Sequence, residues 1–325
     1  MNKYNISLSS MALLLASLTA CRQTDVDAPS FDVSTTKTTV KAGETVPFTF
    51  TGGNPDQLVF YSGEIGKRYE NRSRTSLAGV DKLVFQSAMQ QGVLASQDSL
   101  RLLVSTNLKS YDANGIASAT WTDITARNTK WPKALSTSYT TSDSIDLTSF
   151  NTADSVAIAF RFLGKKDIAN PQRKWQIQNL TLTNKVADGT QTPLLSTFAN
   201  TGWVQLSIKN QATAWDVGTA NVSAATSVSN TSGKVIRSSY PITFDPGTTV
   251  GVDDNDDWLI TSKVNPKTVK PDVGVVIKNT ANNALYTYSY AFKTAGTYTV
   301  TFIAQNSNVN DRKDVVRQVQ ITVTP

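Results

Sequence analysis

Apolar residues recur at every second position in short runs along most of the chain. In Val46-Pro47-Phe48-Thr49-Phe50, the residues Val46, Phe48 and Phe50 fall on one face of an extended segment and Thr49 on the other. Comparable short runs follow at Leu58–Tyr61, Leu83–Phe85, Leu100–Ser105, Trp121–Ile124, Ile145–Leu147, Val156–Phe162 and Trp175–Leu182. Tyr286–Phe292, Gly296–Phe302 and Val315–Val323 close the series. Turn-forming clusters such as Ala42-Gly43-Glu44 and Gly52-Gly53-Asn54-Pro55-Asp56 separate them. Many short strands divided by turns predict an all-β chain built of sandwiches or a jelly roll.

The N-terminus departs from this pattern. A short n-region carrying Lys3 precedes the apolar Met11–Ala16, and small residues lead to Cys21. The apolar run is far shorter than the ~20 residues a membrane-spanning helix requires. Leu18-Thr19-Ala20-Cys21 resembles the lipobox of bacterial lipoproteins, which implies a signal peptide over 1–20 and acylation of Cys21. Several acyl chains, at ~0.8 kcal/mol per buried methylene, would hold such a protein on a membrane. Residues 21–30 read as a tether. Asp25 and Asp27 within it resemble the surface-export signal of Bacteroidota lipoproteins, so an outer-membrane, surface-exposed location is expected.

Composition narrows the chemistry. Cys21 is the only cysteine, so no disulfide forms within one copy, and there is no histidine. Ser/His and Cys/His dyads and histidine-ligated zinc are thereby removed. A hydrolase working through carboxylates alone is not. The formal charge of +6 is spread without a Lys/Arg run that would follow a phosphate backbone, so no nucleic-acid partner is expected. The densest basic stretch, Arg161 to Lys174, reads as a solvated loop between two strands.

Phe60-Tyr61-Ser62-Gly63-Glu64-Ile65-Gly66-Lys67-Arg68-Tyr69 resembles a family of Bacteroidota surface lipoproteins of largely unassigned function that carry an FYSGE-x-G signature. The resemblance implies a cell-surface protein of a glycan-uptake system. The order of the runs from Leu102 to Leu182 resembles the second half of jelly-roll modules with galactose-binding-like topology. Phe198, Gly202-Trp203, Trp215 and Asp257–Ile260 resemble the motifs that open such a module. A single permuted jelly roll over 77–279 is the expectation. Tyr286–Phe292 followed by Ala295–Phe302 resembles the closing hairpin of polycystic-kidney-disease-type immunoglobulin-like domains, and 31–76 lacks that half. Residues 31–76 and 280–325 are therefore expected to form one sandwich with the jelly roll inserted between them.

Three groups are candidates for function. Trp131, in the polar loop Thr129-Lys130-Trp131-Pro132-Lys133, is the candidate platform for a sugar ring, with Tyr139 across the loop. Trp121, Trp175 and Trp258 sit in alternating strands and are expected in the core; the pattern leaves Trp203 and Trp215 open. Asp253, Asp254 and Asp256, in Asp253-Asp254-Asn255-Asp256-Asp257, offer a Ca²⁺ site, although EF-hand spacing is missing and a solvated turn before the Trp258 strand is the better reading of the run. Glu64 is read as a turn residue beside Gly63. The expectation is a non-catalytic, lipid-anchored surface protein that binds a polysaccharide or oligosaccharide and passes it to an outer-membrane transporter. A structural or adhesive surface protein and a carboxylate-dependent glycoside hydrolase are the alternatives.

Overall fold

A computed structural model describes residues 25–93, 99–196, 202–217, 227–229, 235–237 and 241–325. Cys21 with the Leu18–Ala20 motif and Phe198 lie outside the described residues. The chain is nearly all β, with one short helix, Ala113–Ser118, and three single 3₁₀ turns among the described residues. Among those residues no helix is long and apolar enough to cross a membrane. The chain divides into two compact units. One comprises the described residues up to Ser73 together with Pro271–Pro325, the other Arg74–Lys270.

The first unit is two sheets over one apolar core. Thr45–Gly52 is the middle of a three-stranded sheet, flanked by Phe31–Ser34 and Thr287–Ala291. The facing five-stranded sheet runs Val275–Lys278, Gln57–Tyr61, Gly296–Ser307, Arg312–Thr324 and Thr39–Lys41. Its last pair is parallel, with Val40 opposite Val323, so strands from the two ends of the chain lie side by side. Period-two alternation sends Phe48 and Phe50 inward from one sheet and Phe60 and Phe302 from the other. The Phe302 ring lies 5.1 Å from Phe48, 5.1 Å from Phe50 and 5.2 Å from Phe60, in tilted and edge-on contacts that aromatic quadrupoles favour.

The turn after Tyr61 is locked against this core. Gly63 has φ +81, and a Cβ there would lie 2.8 Å from the Thr299 carbonyl oxygen, so glycine is required on both counts. Glu64 Oε2 accepts hydrogen bonds from the hydroxyls of Ser62 (2.8 Å) and Tyr290 (2.6 Å). Val275–Lys278 pairs with Gln57–Tyr61 in this unit, which moves the boundary from the expected 279 back to 270. Its backbone groups complete a sheet edge of the first unit, a property that hydropathy along 271–279 does not reveal.

The second unit also packs two sheets face to face. The five-stranded sheet has the order Val204–Lys209, Asn255–Ile260, Ala157–Gly164, Ser99–Ser105 and Thr122–Asp123. The seven-stranded sheet is built around Trp175–Lys185 and Val80–Met89. Leu102, Ile158, Phe160, Phe162 and Leu259 from the first meet Leu83, Phe85, Ile177, Leu182 and Phe244 from the second. Trp203 and Trp215, left open by the sequence, are fully buried here. The opposite face of the five-stranded sheet carries a second, smaller cluster. There Leu103, Ala159, Trp258 and Ile260 pack with Leu108 and Ile116 of the 106–121 segment.

Truncating Phe302 removes the ring shared by three aromatic neighbours. Phe302→Ala is expected to cost about 3–5 kcal/mol and to lower the melting transition of the first unit by about 10 °C or more in calorimetry. Tyr286→Ala, at a side chain 70% exposed, should change stability by about 0.5 kcal/mol or less.

Candidate functional site

The strand Ala157–Gly164 is bonded on one side to Ser99–Ser105 and on the other to Asn255–Ile260. In this register Arg161 lies directly opposite Arg101 and Trp258. Ile158, Phe160 and Phe162 point into the core, so Ala159 and Arg161 point to the other face. The same alternation brings Arg101 and Leu103 to that face from one neighbour, and Asp256 and Trp258 from the other. The segment 106–121, with its helix, covers part of this surface. What stays open is a groove of about 690 Å³.

Two tryptophans line the groove. The Trp258 ring is almost wholly buried, and the partly buried Trp121 ring leans on it at 5.0 Å between centroids. Trp121 Nε1 donates to the Ile116 carbonyl at 3.1 Å, which fixes the indole against the helix. Ion pairs flank the aromatic strip. Arg161 donates through Nε and a terminal nitrogen to the two carboxylate oxygens of Asp256, at 2.8 and 2.7 Å. Its guanidinium also stacks over Trp258 at 4.7 Å. Arg101 meets Asp123 at 3.4 Å. Burial pushes the Asp123 carboxyl upward, but donors from Thr125 and the Arg101 charge outweigh it and hold it below the ordinary range. Asp123 is therefore ionised at neutral pH and has no proton to give as a general acid. The groove offers apolar ring faces for stacking and fixed polar atoms at its sides for hydroxyl groups.

The residues singled out from sequence are placed differently. Trp131 does not stand out as a platform. Its ring packs on the core rim, 5.4 Å from Phe85 and 6.3 Å from Trp175, and its Nε1 donates to the Thr125 carbonyl at 3.0 Å. Tyr139 donates its hydroxyl to Gln176 Oε1 at 2.7 Å, and burial pushes that hydroxyl's pKa up. Both are polar–aromatic side chains that reach inward from a polar loop, which composition alone does not show.

The Asp253–Asp257 run does not converge on a point either. Asp253 pairs with Lys166 at 2.8 Å, Asp254 with Lys165 at 3.4 Å, and Asp256 with Arg161. Strand alternation sends Asp257 to the opposite face, into the core, where it is fully buried. Among the described residues no three carboxylate, cysteine or histidine groups gather to hold a metal. Arg161 itself is no loop residue but the centre of a strand. The groove residues Arg101, Arg161 and the two tryptophans carry no site reading from sequence, and Asp256 is read there only as a Ca²⁺ ligand beside Asp253 and Asp254. The available signal for Arg101, Arg161, Asp256 and Trp258 was their shared parity: each sits one position away from a core residue of its own strand, whereas Trp121 precedes its strand and carries no such signal.

Two core carboxyls have strongly raised pKa values, each chiefly through burial. Asp257 is pushed up to about 7, with the Asp256 charge adding to the effect, and Asp81 up to about 6, with Asp146 adding. The folded chain thus holds protons that the unfolded chain releases near pH 4, so stability should fall as pH rises through about 4 to 7 and then level off. Asp146 is held well below the ordinary range by Lys82 and Thr148, and its stabilisation is lost only below that window. Asp257→Asn should flatten the slope and raise stability on the order of 1–3 kcal/mol at pH 8 relative to its effect at pH 5. Urea denaturation at the two pH values measures this.

No curated protein matches the chain. A family profile described as a domain of unknown function (DUF5017) matches residues 20–203. The match takes in Arg101, Trp121, Asp123 and Arg161 of the groove and stops before Asp256 and Trp258. Spanning more than half of the sequence, it shows that the chain belongs to the DUF5017 family.

Proposed function

We propose that this protein binds a glycan without transforming it, through the groove on the outer face of the second unit's five-stranded sheet. The observation that carries the reading is the Trp121–Trp258 pair flanked by the Arg161–Asp256 and Arg101–Asp123 ion pairs. A sugar ring has an apolar face that stacks on indole and an equator of hydroxyls that both donate and accept. The guanidinium and carboxylate groups supply the complementary acceptors and donors in fixed positions. Each arginine is matched by a carboxylate, which suits an uncharged sugar better than an acidic one.

The groove chemistry favours binding over hydrolysis. A glycosidase needs one protonated and one ionised carboxyl across the scissile bond, roughly 5–9.5 Å apart. Here Asp123 is kept ionised, and the carboxyls with strongly raised pKa, Asp81 and Asp257, are buried in the core. The lipobox-like Leu18–Cys21 supports attachment to the outer membrane through acylated Cys21. Together with the resemblance of the Phe60–Tyr69 segment to surface proteins of glycan-uptake systems, it supports the reading of a surface protein that hands its ligand to a transporter.

Affinity electrophoresis against a panel of neutral polysaccharides tests this. At least one should retard the protein. Trp121→Ala should weaken that retention tenfold or more, while Trp131→Ala should leave it unchanged. Retention that survives Trp121→Ala, or no retention by any polysaccharide, would overturn the reading.

A further inference from the structure

We infer that the first unit carries a separate binding site for an acidic monosaccharide, formed between the turn Ser62–Arg68 and the loop Lys293–Gly296 that joins the unit's two sheets. A cavity of about 640 Å³ lies there, large enough for one or two sugar rings. Its charged lining is Lys67, Arg68 and Lys293 against the single carboxylate of Glu64. The Lys67 and Lys293 ammonium groups have no ion pair or hydrogen bond among the described residues, whereas Glu64 already accepts two hydroxyl hydrogens, from Ser62 and Tyr290. The cavity therefore has cationic donors to spare and its one anion engaged. A concave surface of that sign attracts an oxyanion.

Both walls are held before any ligand arrives. The first turn is closed by the Gly63 amide donating to the Lys67 carbonyl and the Lys67 amide to the Glu64 carbonyl, each at 2.9 Å. The Arg68 amide donates to Asp272 Oδ2 at 2.8 Å. In the second wall Tyr298 donates its hydroxyl to the Thr294 carbonyl at 2.7 Å, and its ring stacks on Phe292 with a 17° interplanar angle. Burial, helped by the Glu64 charge, pushes the Tyr290 hydroxyl up to about 12, so it stays protonated and keeps donating to Glu64. The Tyr298 ring and exposed Ile65 add apolar surface beside the cations. An anionic group next to a ring with an apolar face, as in a uronate, satisfies both parts of the lining.

Amide ¹H–¹⁵N spectra of the purified protein, titrated with glucuronate, inorganic sulfate, inorganic phosphate and sodium chloride at matched ionic strength, test the site. Glucuronate should shift the amides of Ser62–Arg68 and Thr294–Tyr298 saturably, and chloride should not. The Lys67→Gln/Lys293→Gln variant, which removes two amines that make no hydrogen bond or ion pair among the described residues, should bind glucuronate at least tenfold more weakly. Trp121→Ala should bind it as wild type does, which separates this site from the groove. Shifts matched by chloride, or equal affinity in the double variant, would overturn the site. Saturable binding of sulfate or phosphate tighter than glucuronate would overturn the sugar assignment.

Discussion

The second unit depends on the double pairing of Ala157–Gly164. Bonded along both edges, this strand cannot slip by one residue without exchanging its two faces, which would expose Phe160 and bury Arg161. That register also sets Arg161 directly across from Arg101, a like-charge pairing that disfavours the sheet. The structure resolves the conflict by giving each arginine its own carboxylate, Asp256 on one side and Asp123 on the other. The strand pairing that buries the core therefore also builds the polar flanks of the groove. Trp258, two residues from Asp256 and on the same face, completes it.

The first unit meets a different constraint, because its core is assembled from both ends of the chain. Phe48 and Phe60 precede the second unit in sequence, whereas Phe292 and Phe302 follow it. The parallel contact of Thr39–Lys41 with Thr322–Thr324 and the bond from Tyr290 to Glu64 fasten the two segments at separate points. Gly63 lets the turn approach Thr299, and Glu64 then grips the strand beside it. The Ser-Gly-Glu sequence thus works as a clasp between segments more than two hundred residues apart in the chain.

The all-β class was legible because period-two alternation reports strands wherever one face is buried. The candidate site was not. Trp131 reads as an exposed loop residue, yet an indole can reach from a polar loop to the core rim and satisfy its N–H on a nearby carbonyl. Asp253–Asp257 reads as one cluster, yet adjacent strand residues face opposite ways, so Asp256 and Asp257 belong to different surfaces. Trp258 reads as core, and it is buried, but within the small outer cluster whose edge forms the groove. Burial by itself does not separate the two faces of a sheet.

The sequence by itself determined where many of the strands form, that histidine chemistry is absent, and that cysteine chemistry rests on Cys21 alone. These follow from local periodicity and from composition, which need no partner segment. Only the tertiary structure decided which aromatic residues meet, which carboxylate answers each cation, and that Val275–Lys278 belongs with the first unit. Such pairings are set by sheet register between segments distant in the chain, and no local pattern carries that register.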